Sequence, residues 1–443
     1  MKKSTANTKK AQETTNHFSR RKFITRTVLA SGAISIIPRH VLGKGFVPPS
    51  DKINLGFIGL GKQTMGLARF FLEHTTDAQI VAGSDVWTTK NEWFKGYVEQ
   101  MYAEKRQQTG YKGVSVTGDY RKIVDRKDVD AVVVATPDHW HAIQAIAAMN
   151  AGKDIFCEKP MTHRIQEGID MVETARKTER IVQVGSMQRS WENFRRACEL
   201  VRNGYIGEVF KILVNVGDPA IPFNMPTEPT PKEVDWNLWC GPAPMLPYNH
   251  RLSPPTSDPF FPDWRKFEET GGGILTDWGA HMFDVAQWGL GMDHTGPIRY
   301  IPPADKSAVR GMRMIYENGV EMVHEDFEKG WGVRFIGSEG TLDISRNYLE
   351  TNPGNILTST LKDSDKRLYN SRDNHYQDWL DAIKNRTQPI CDVETGHRSA
   401  TIGNICNIAY DLGRALEWDP VEQHFKGDTE ANNLMRRDNR QYE

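Results

Sequence analysis

Three short strings hold the residue types that can do chemistry. Gly59-Leu60-Gly61 follows an apolar run from Ile53 to Ile58. Glycines at such a turn let backbone N–H groups close on a pyrophosphate at a helix N-terminus. Glu158-Lys159-Pro160 ends a later apolar run. Proline favours an extended backbone at Lys159 and so aims its side chain. A lysine beside a carbinol donates to the hydroxyl and stabilises developing negative charge. Taken alone, the tripeptide also fits a surface loop. The third string runs from Gly271-Gly272-Gly273 through Asp277 to His281. Asp277 and His281 are four apart and share a face of a helix. A carboxylate at that spacing can orient an imidazole and raise its basicity. A packed core histidine is the plainer reading of His281 by itself. Together the strings point to a dinucleotide enzyme with a catalytic lysine beside the cofactor. No H-E-x-x-H or similar set argues for a metal.

The elements that must position these strings alternate. Strands are expected at Ile53–Ile58, Ala78–Asp85, Ala131–Ala135, Asp154–Glu158 and Ile181–Gly185. Helical spacing lies between them, as at Met65–Glu73. Such alternation predicts a doubly wound parallel sheet whose strand ends gather on one ligand-binding edge. The pattern changes after Arg189. A helix from Trp191 to Asn203 precedes a strand from Glu208 to Val216. A Pro-rich, aromatic stretch from Asp218 to Asp263 is expected to be an ordered surface segment. Strands at Met312–Tyr316, Gly332–Ile336 and Gly340–Ile344 look antiparallel, with a turn at Glu317-Asn318-Gly319. Helices are expected at Tyr376–Lys384 and Gly396–Leu416. The fold class is α/β: a Rossmann domain over 52–188, then a C-terminal α+β domain over 189–443 with a large, mostly antiparallel open sheet.

The cofactor set follows from that layout. Gly59 and Gly61 take the turn, and Lys62 and Gln63 open the helix. Position 64 is Thr, a departure from G-x-G-x-x-G. Asp85 closes the second strand, 24 residues past Gly61. A carboxylate there accepts from both ribose hydroxyls and repels a 2′-phosphate, which favours NAD over NADP; a turn or cap role is the other reading. Thr136-Pro137-Asp138-His139-Trp140-His141 ends a strand and opens a helix, with Asp138 as a cap. Thr136, Pro137, His141 and Glu158 complete the set on the ligand edge. His139 and His141 also suit capping or packing.

Composition excludes some classes. The 443 residues carry a net charge of −1, so no basic field invites nucleic acid. Twelve tryptophans suit either sugar stacking or core packing. Five scattered cysteines without C-x-x-C imply neither a zinc site nor a disulfide framework. The N-terminus reads as an export signal: lysines, then Ser19-Arg20-Arg21-Lys22-Phe23-Ile24, then a moderately apolar stretch to Ile37. That stretch is too short to span a bilayer. Cleavage after Gly43 leaves residues 1–43 as signal. The string is similar to a twin-arginine signal, the route of proteins exported folded. It implies a periplasmic protein, meeting the membrane only in transit, with a tightly held cofactor recycled in place.

These strings together resemble the Gfo/Idh/MocA oxidoreductase family. Asn374-His375-Tyr376-Gln377-Asp378-Trp379 and Leu416-Glu417-Trp418-Asp419-Pro420 look like its exported bacterial subgroup. The resemblance implies NAD(P)-dependent oxidation or reduction of a sugar, polyol or glycoside, with C3 as an expected carbon. It implies Lys159 and His281 as the acid/base pair, Asp277 as the orienting acid, and a dimer or tetramer. Two alternatives stand beside it: a redox-neutral glycosidase using bound NAD transiently, and a non-catalytic sugar or nucleotide sensor.

Overall fold

The computed structural model describes residues 51–106 and 110–442; the segment expected to be an export signal, residues 1–43, lies outside the described residues. Six strands form the first sheet: β1 (Ile53–Ile58), β2 (Ala78–Ser84), β3 (Ser115–Thr117), β4 (Ala131–Val134), β5 (Asp154–Cys157) and β6 (Val182–Val184). Their order is β3-β2-β1-β4-β5-β6, and every pairing is parallel. β4 is Ala-Val-Val-Val and buried throughout, as a strand covered on both faces must be. Helices α1 (Lys62–His74), α2 (Thr88–Arg106), α3 (Asp138–Asn150) and α4 (Ile165–Thr178) make the crossovers. The order reverses between β1 and β4, so the crevice for a ligand opens beyond their C-terminal ends.

The second domain is built on nine strands: β7 (Val209–Asn215), β8 (Arg299–Ile301), β9 (Met312–Ile315), β10 (Glu321–His324), β11 (Gly332–Gly337), β12 (Thr341–Ile344), β13 (Leu349–Asn352), β14 (Leu416–Asp419) and β15 (His424–Phe425). Their order is β13-β12-β11-β7-β10-β9-β8-β14-β15. The β7–β10 pair is parallel and the other pairs are antiparallel. Helix α5 (Glu192–Arg202) and helix α6 (Gly273–Leu290) lie against one face, where Phe194, Met282 and Phe283 share a core with Val214, Met314 and Phe335.

One expected element is corrected. The last long helix, α8, spans Val393–Leu412, not 396–416. Gly413 ends it in a left-handed conformation (φ 60°), and Leu416–Asp419 becomes β14 instead. Packing also crosses between the two domains. Helix α7 (His375–Asn385) returns to the first domain, where Trp379, Leu380 and Ile383 pack with Leu55, Phe71 and Phe156. Trp379 is fully buried there, and its truncation to Ala would cost about 3–5 kcal/mol.

The aromatic stretch between Asp218 and Asp263 has one short helix, Trp236–Cys240. It is ordered by its own core, in which Trp236, Trp239, Tyr248 and Trp264 surround Trp87 of the first domain. Arg189, just past β6, donates to both carboxylate oxygens of Asp284 on α6, at 2.8 and 3.0 Å. This buried pair fixes α6 over the edge of the first sheet.

Candidate active site

A cleft of about 530 Å³ lies along that edge, within the range of ligand pockets. It brings together Gly59, Gly61, Lys62, Gln63, Asp85, Thr136, Pro137, His141, Glu158, Lys159, Asp277 and His281.

At the glycine end, Gly59 has φ +85°, and a Cβ there would lie 2.7 Å from the backbone of Ala135. Glycine is required by both conformation and contact. A Cβ at Gly61 would meet no protein atom within 4 Å. Internal packing does not demand that glycine, and the backbone there is open to a ligand. No side chain caps α1, which leaves its first N–H groups for an anion. Asp85 does two jobs at the end of β2. Its Oδ2 accepts from the Leu60 N–H at 2.7 Å and its Oδ1 from Trp87 at 2.9 Å. The glycine loop is thus tied to the acid, whose remaining lone pairs suit ribose hydroxyls. Open loop, uncapped helix and carboxylate together fit a dinucleotide.

Other predicted contacts are partly structural. Lys62 reaches across the cleft to the carbonyls of Asp258 and Phe260. Gln63 donates to Glu158 at 2.9 Å, and burial pushes the Glu158 carboxyl up. His141 sits between the carbonyls of Pro160 (2.9 Å) and Thr136 (2.8 Å), joining the loops after β4 and β5. Burial pushes its ring down to about 4. His139 faces the carbonyls of Thr270 and Trp239 instead, so it fastens α3 to the second domain. Asp138 makes no capping bond: Pro137 is the N-cap, and Asp138 Oδ1 is buried without a partner. Burial, then Asp277, pushes that carboxyl well above the usual range.

At the other end, Lys159 donates to Asp277 Oδ1 at 2.7 Å, and Arg265 lies 3.5 Å from the same oxygen. Burial alone would raise the Asp277 carboxyl, but the two cations hold it below its ordinary value. This corrects the expectation that Asp277 orients His281. No hydrogen bond joins them; the carboxylate is committed to lysine and arginine. His281 meets Arg346 instead, with Nη2 3.0 Å from Nε2. Burial, then Lys159 and Arg346, holds the imidazole well below its ordinary value. Arg265, Arg346, Trp278 and Trp331 also line this end, and sequence reasoning missed them. Arg346 lies in a turn between β12 and β13 with no motif around it, so only the fold reveals it.

A family model described as "Oxidoreductase family, NAD-binding Rossmann fold" matches residues 53–186. Another, "Oxidoreductase family, C-terminal alpha/beta domain", matches residues 218–442. Among curated relatives, a "Glycosyl hydrolase family 109 protein" of Shewanella sp. (strain W3-18-1) is 29% identical over 198 residues, 42% of this chain and 40% of the relative. An "Alpha-N-acetylgalactosaminidase" of Shewanella oneidensis is 28% identical over 190 residues, 41% and 39%. The chain therefore spans about two fifths of the length of these relatives. Among solved structures, myo-inositol 2-dehydrogenase from Lactobacillus plantarum aligns with TM-score 0.56 at 18% identity, over 83% of this chain and 99% of that one. Scyllo-inositol dehydrogenase from Lactobacillus casei, solved with NAD(H) and scyllo-inositol, aligns with TM-score 0.55 at 18% identity over the same shares. At these identities the likeness is one of fold.

Proposed function

We propose that this chain, which belongs to the Gfo/Idh/MocA oxidoreductase family, oxidises a hydroxyl of a sugar or glycoside with NAD. The observation that carries the reading is the Lys159–Asp277 pair at the end of a cleft that begins at the glycine loop. The nicotinamide, when bound, supplies the hydride acceptor. Gly59, Gly61 and Asp85 would hold the pyrophosphate and ribose, and Asp85 favours NAD over NADP.

The chain's own groups handle the oxygen and its proton. An ammonium has three donors. Lys159 directs two at the carbonyl and the carboxylate of Asp277, which leaves one for a substrate oxygen. Asp277 keeps the lysine aimed. Burial favours the neutral ring of His281, whose Nε2 accepts from Arg346 here and would take the hydroxyl proton once released from it. Donation from Lys159 would stabilise the developing alkoxide.

The reading includes export by the twin-arginine route to the periplasm, a retained cofactor, and self-association as a dimer or tetramer. Support for export is the Ser19–Ile24 string. Among the described residues no helix is long and apolar enough to cross a membrane.

A second reading has its own support. The curated relatives named above carry glycosidase names, so a redox-neutral glycosidase would oxidise the sugar, release the aglycone, add water and reduce again. One experiment separates the two. Nucleotide released from the purified protein is identified by mass spectrometry, and the NADH band is followed as a panel of glycosides is added. Bound NAD that becomes reduced supports the dehydrogenase. Aglycone release without net NADH supports the glycosidase. Neither, across the panel, overturns both and favours a sensor.

A further inference from the structure

The cleft end around Lys159 and His281 holds three side-chain cations. Lys159 and Arg265 share Asp277. Among the described residues no carboxylate pairs directly with Arg346, although Asp277 and Glu158 act on it through space. Its polar contacts are a neutral ring, His281 at 3.0 Å, and an amide, Gln188 Oε1 at 3.5 Å. Its guanidinium also lies 4.6 Å from the ring centroid of Trp278 and 5.5 Å from that of Trp191. The other carboxylate of this region, Glu158, is engaged by Gln63. Arg346 is exposed to the cleft, and its guanidinium does not give up its proton. A permanent cation that faces a ligand cleft with no carboxylate hydrogen-bonded to it suits an anion from outside.

The contact with His281 adds a second argument. A guanidinium only donates, so His281 Nε2 must accept and the ring proton must sit on Nδ1. That nitrogen is buried without a partner. The lone pair needed by a hydroxyl proton is therefore covered by Arg346. Drawing the guanidinium aside takes a better acceptor than an imidazole. An oxyanion, able to accept two parallel N–H bonds, is one.

We propose that the substrate is an anionic sugar, whose carboxylate or ester oxyanion Arg346 binds, and that this shift of Arg346 uncovers His281. The proposal rests on the reading of this cleft as the sugar site. Arg346 then sets specificity, discriminating acidic sugars from their neutral counterparts.

The test is calorimetric titration of the NAD-loaded protein with methyl glucuronide, methyl glucoside 6-sulfate and methyl glucoside, and with the galacto counterparts. Acidic members should bind roughly tenfold or more tightly than neutral ones, the size of a charge-assisted hydrogen-bond pair. Carboxylate against sulfate distinguishes the two sources of the anion. Arg346→Gln should abolish the preference and Arg346→Lys should keep part of it. Equal or weaker binding of the acidic members by the unaltered protein, binding of neither class, or a preference that survives in Arg346→Gln overturns the proposal. The NADH band is recorded in the same samples. An acid preference without any reduction sinks the dehydrogenase and keeps the charge discrimination. Reduction by neutral sugars with no acid preference does the reverse.

Discussion

Lys159 Nζ donates at 2.7 Å to Oδ1 of Asp277 and at 2.9 Å to the same residue's main-chain carbonyl, across a separation of 118 residues. Lys159 lies in the loop after β5 and Asp277 in the first turns of α6, so the contact joins the two domains at the cleft. Both side chains are mostly buried, at 15% and 9% exposure. Removing one partner of such a pair leaves the other charge uncompensated, whereas removing both can be nearly neutral.

That asymmetry gives a prediction. Lys159→Met should abolish turnover, retain NAD and lower stability by about 3 kcal/mol, since only Arg265 remains near Asp277. The double variant Lys159→Met with Asp277→Asn should recover much of the stability and none of the turnover. Urea midpoints and the NADH band measure the two effects. Turnover by Lys159→Met would remove the lysine from the mechanism.

The two loop glycines should behave differently. Gly59→Ala must place a Cβ against Ala135 at φ +85°, so it should destabilise the fold by ~2 kcal/mol or more. Gly61→Ala meets no protein atom, so its Tm should stay close to that of the parent while NAD binding weakens. Thermal unfolding without added nucleotide, beside an NAD titration, separates them. Unchanged NAD affinity in Gly61→Ala would mean that no phosphate approaches there.

Asp85→Asn keeps an oxygen for the Leu60 N–H and loses the charge. NAD binding should weaken by roughly tenfold, the value of a charge-assisted hydrogen bond, and the gap between NAD and NADP should narrow. Paired Kd values for both nucleotides test this; an unaltered ratio would leave Asp85 as a loop anchor alone.

Burial sets a pH dependence. His139 is pushed down to about 3, and His141, His324, His375 and His397 to about 4. Unfolded, each ring titrates near ~6.5. Between those values the unfolded chain binds more protons. Each ring therefore contributes stability that is present above ~6.5 and is lost as pH falls toward 4, by up to ~1.4 kcal/mol per pH unit. Asp138 and Asp284, whose carboxyls are raised by burial, act with the opposite sign. The check is histidine ring NMR on the folded protein from about pH 7.5 to 5. These five rings should not titrate; one titrating near ~6.5 contradicts the assignment for that residue.

The sequence by itself determined much of this protein. Period and turn chemistry are local, so the apolar runs at Ile53–Ile58 and Ala131–Val134 read directly as buried parallel strands. The residues at their ends, Gly59 and Thr136, were placed on the ligand edge by topology rules alone. The glycine loop, Asp85, Lys159, Asp277 and His281 could be named because each sits in a short string with a mechanical reason. Their mutual contacts could not be read. Helical spacing suggested that Asp277 serves His281, four residues along. A side chain pairs with whatever charge the fold delivers, and the fold delivered Lys159 from the loop after β5 and Arg265 from the turn just past the aromatic segment. Arg346 is the extreme case: an arginine in an unremarkable turn becomes the partner of His281 only because β12 and β13 carry that turn to the cleft. Local sequence specifies elements and their ends. Which charges meet across 118 residues is settled by tertiary packing, because ion pairs and hydrogen bonds act over ångströms of space and not along the chain.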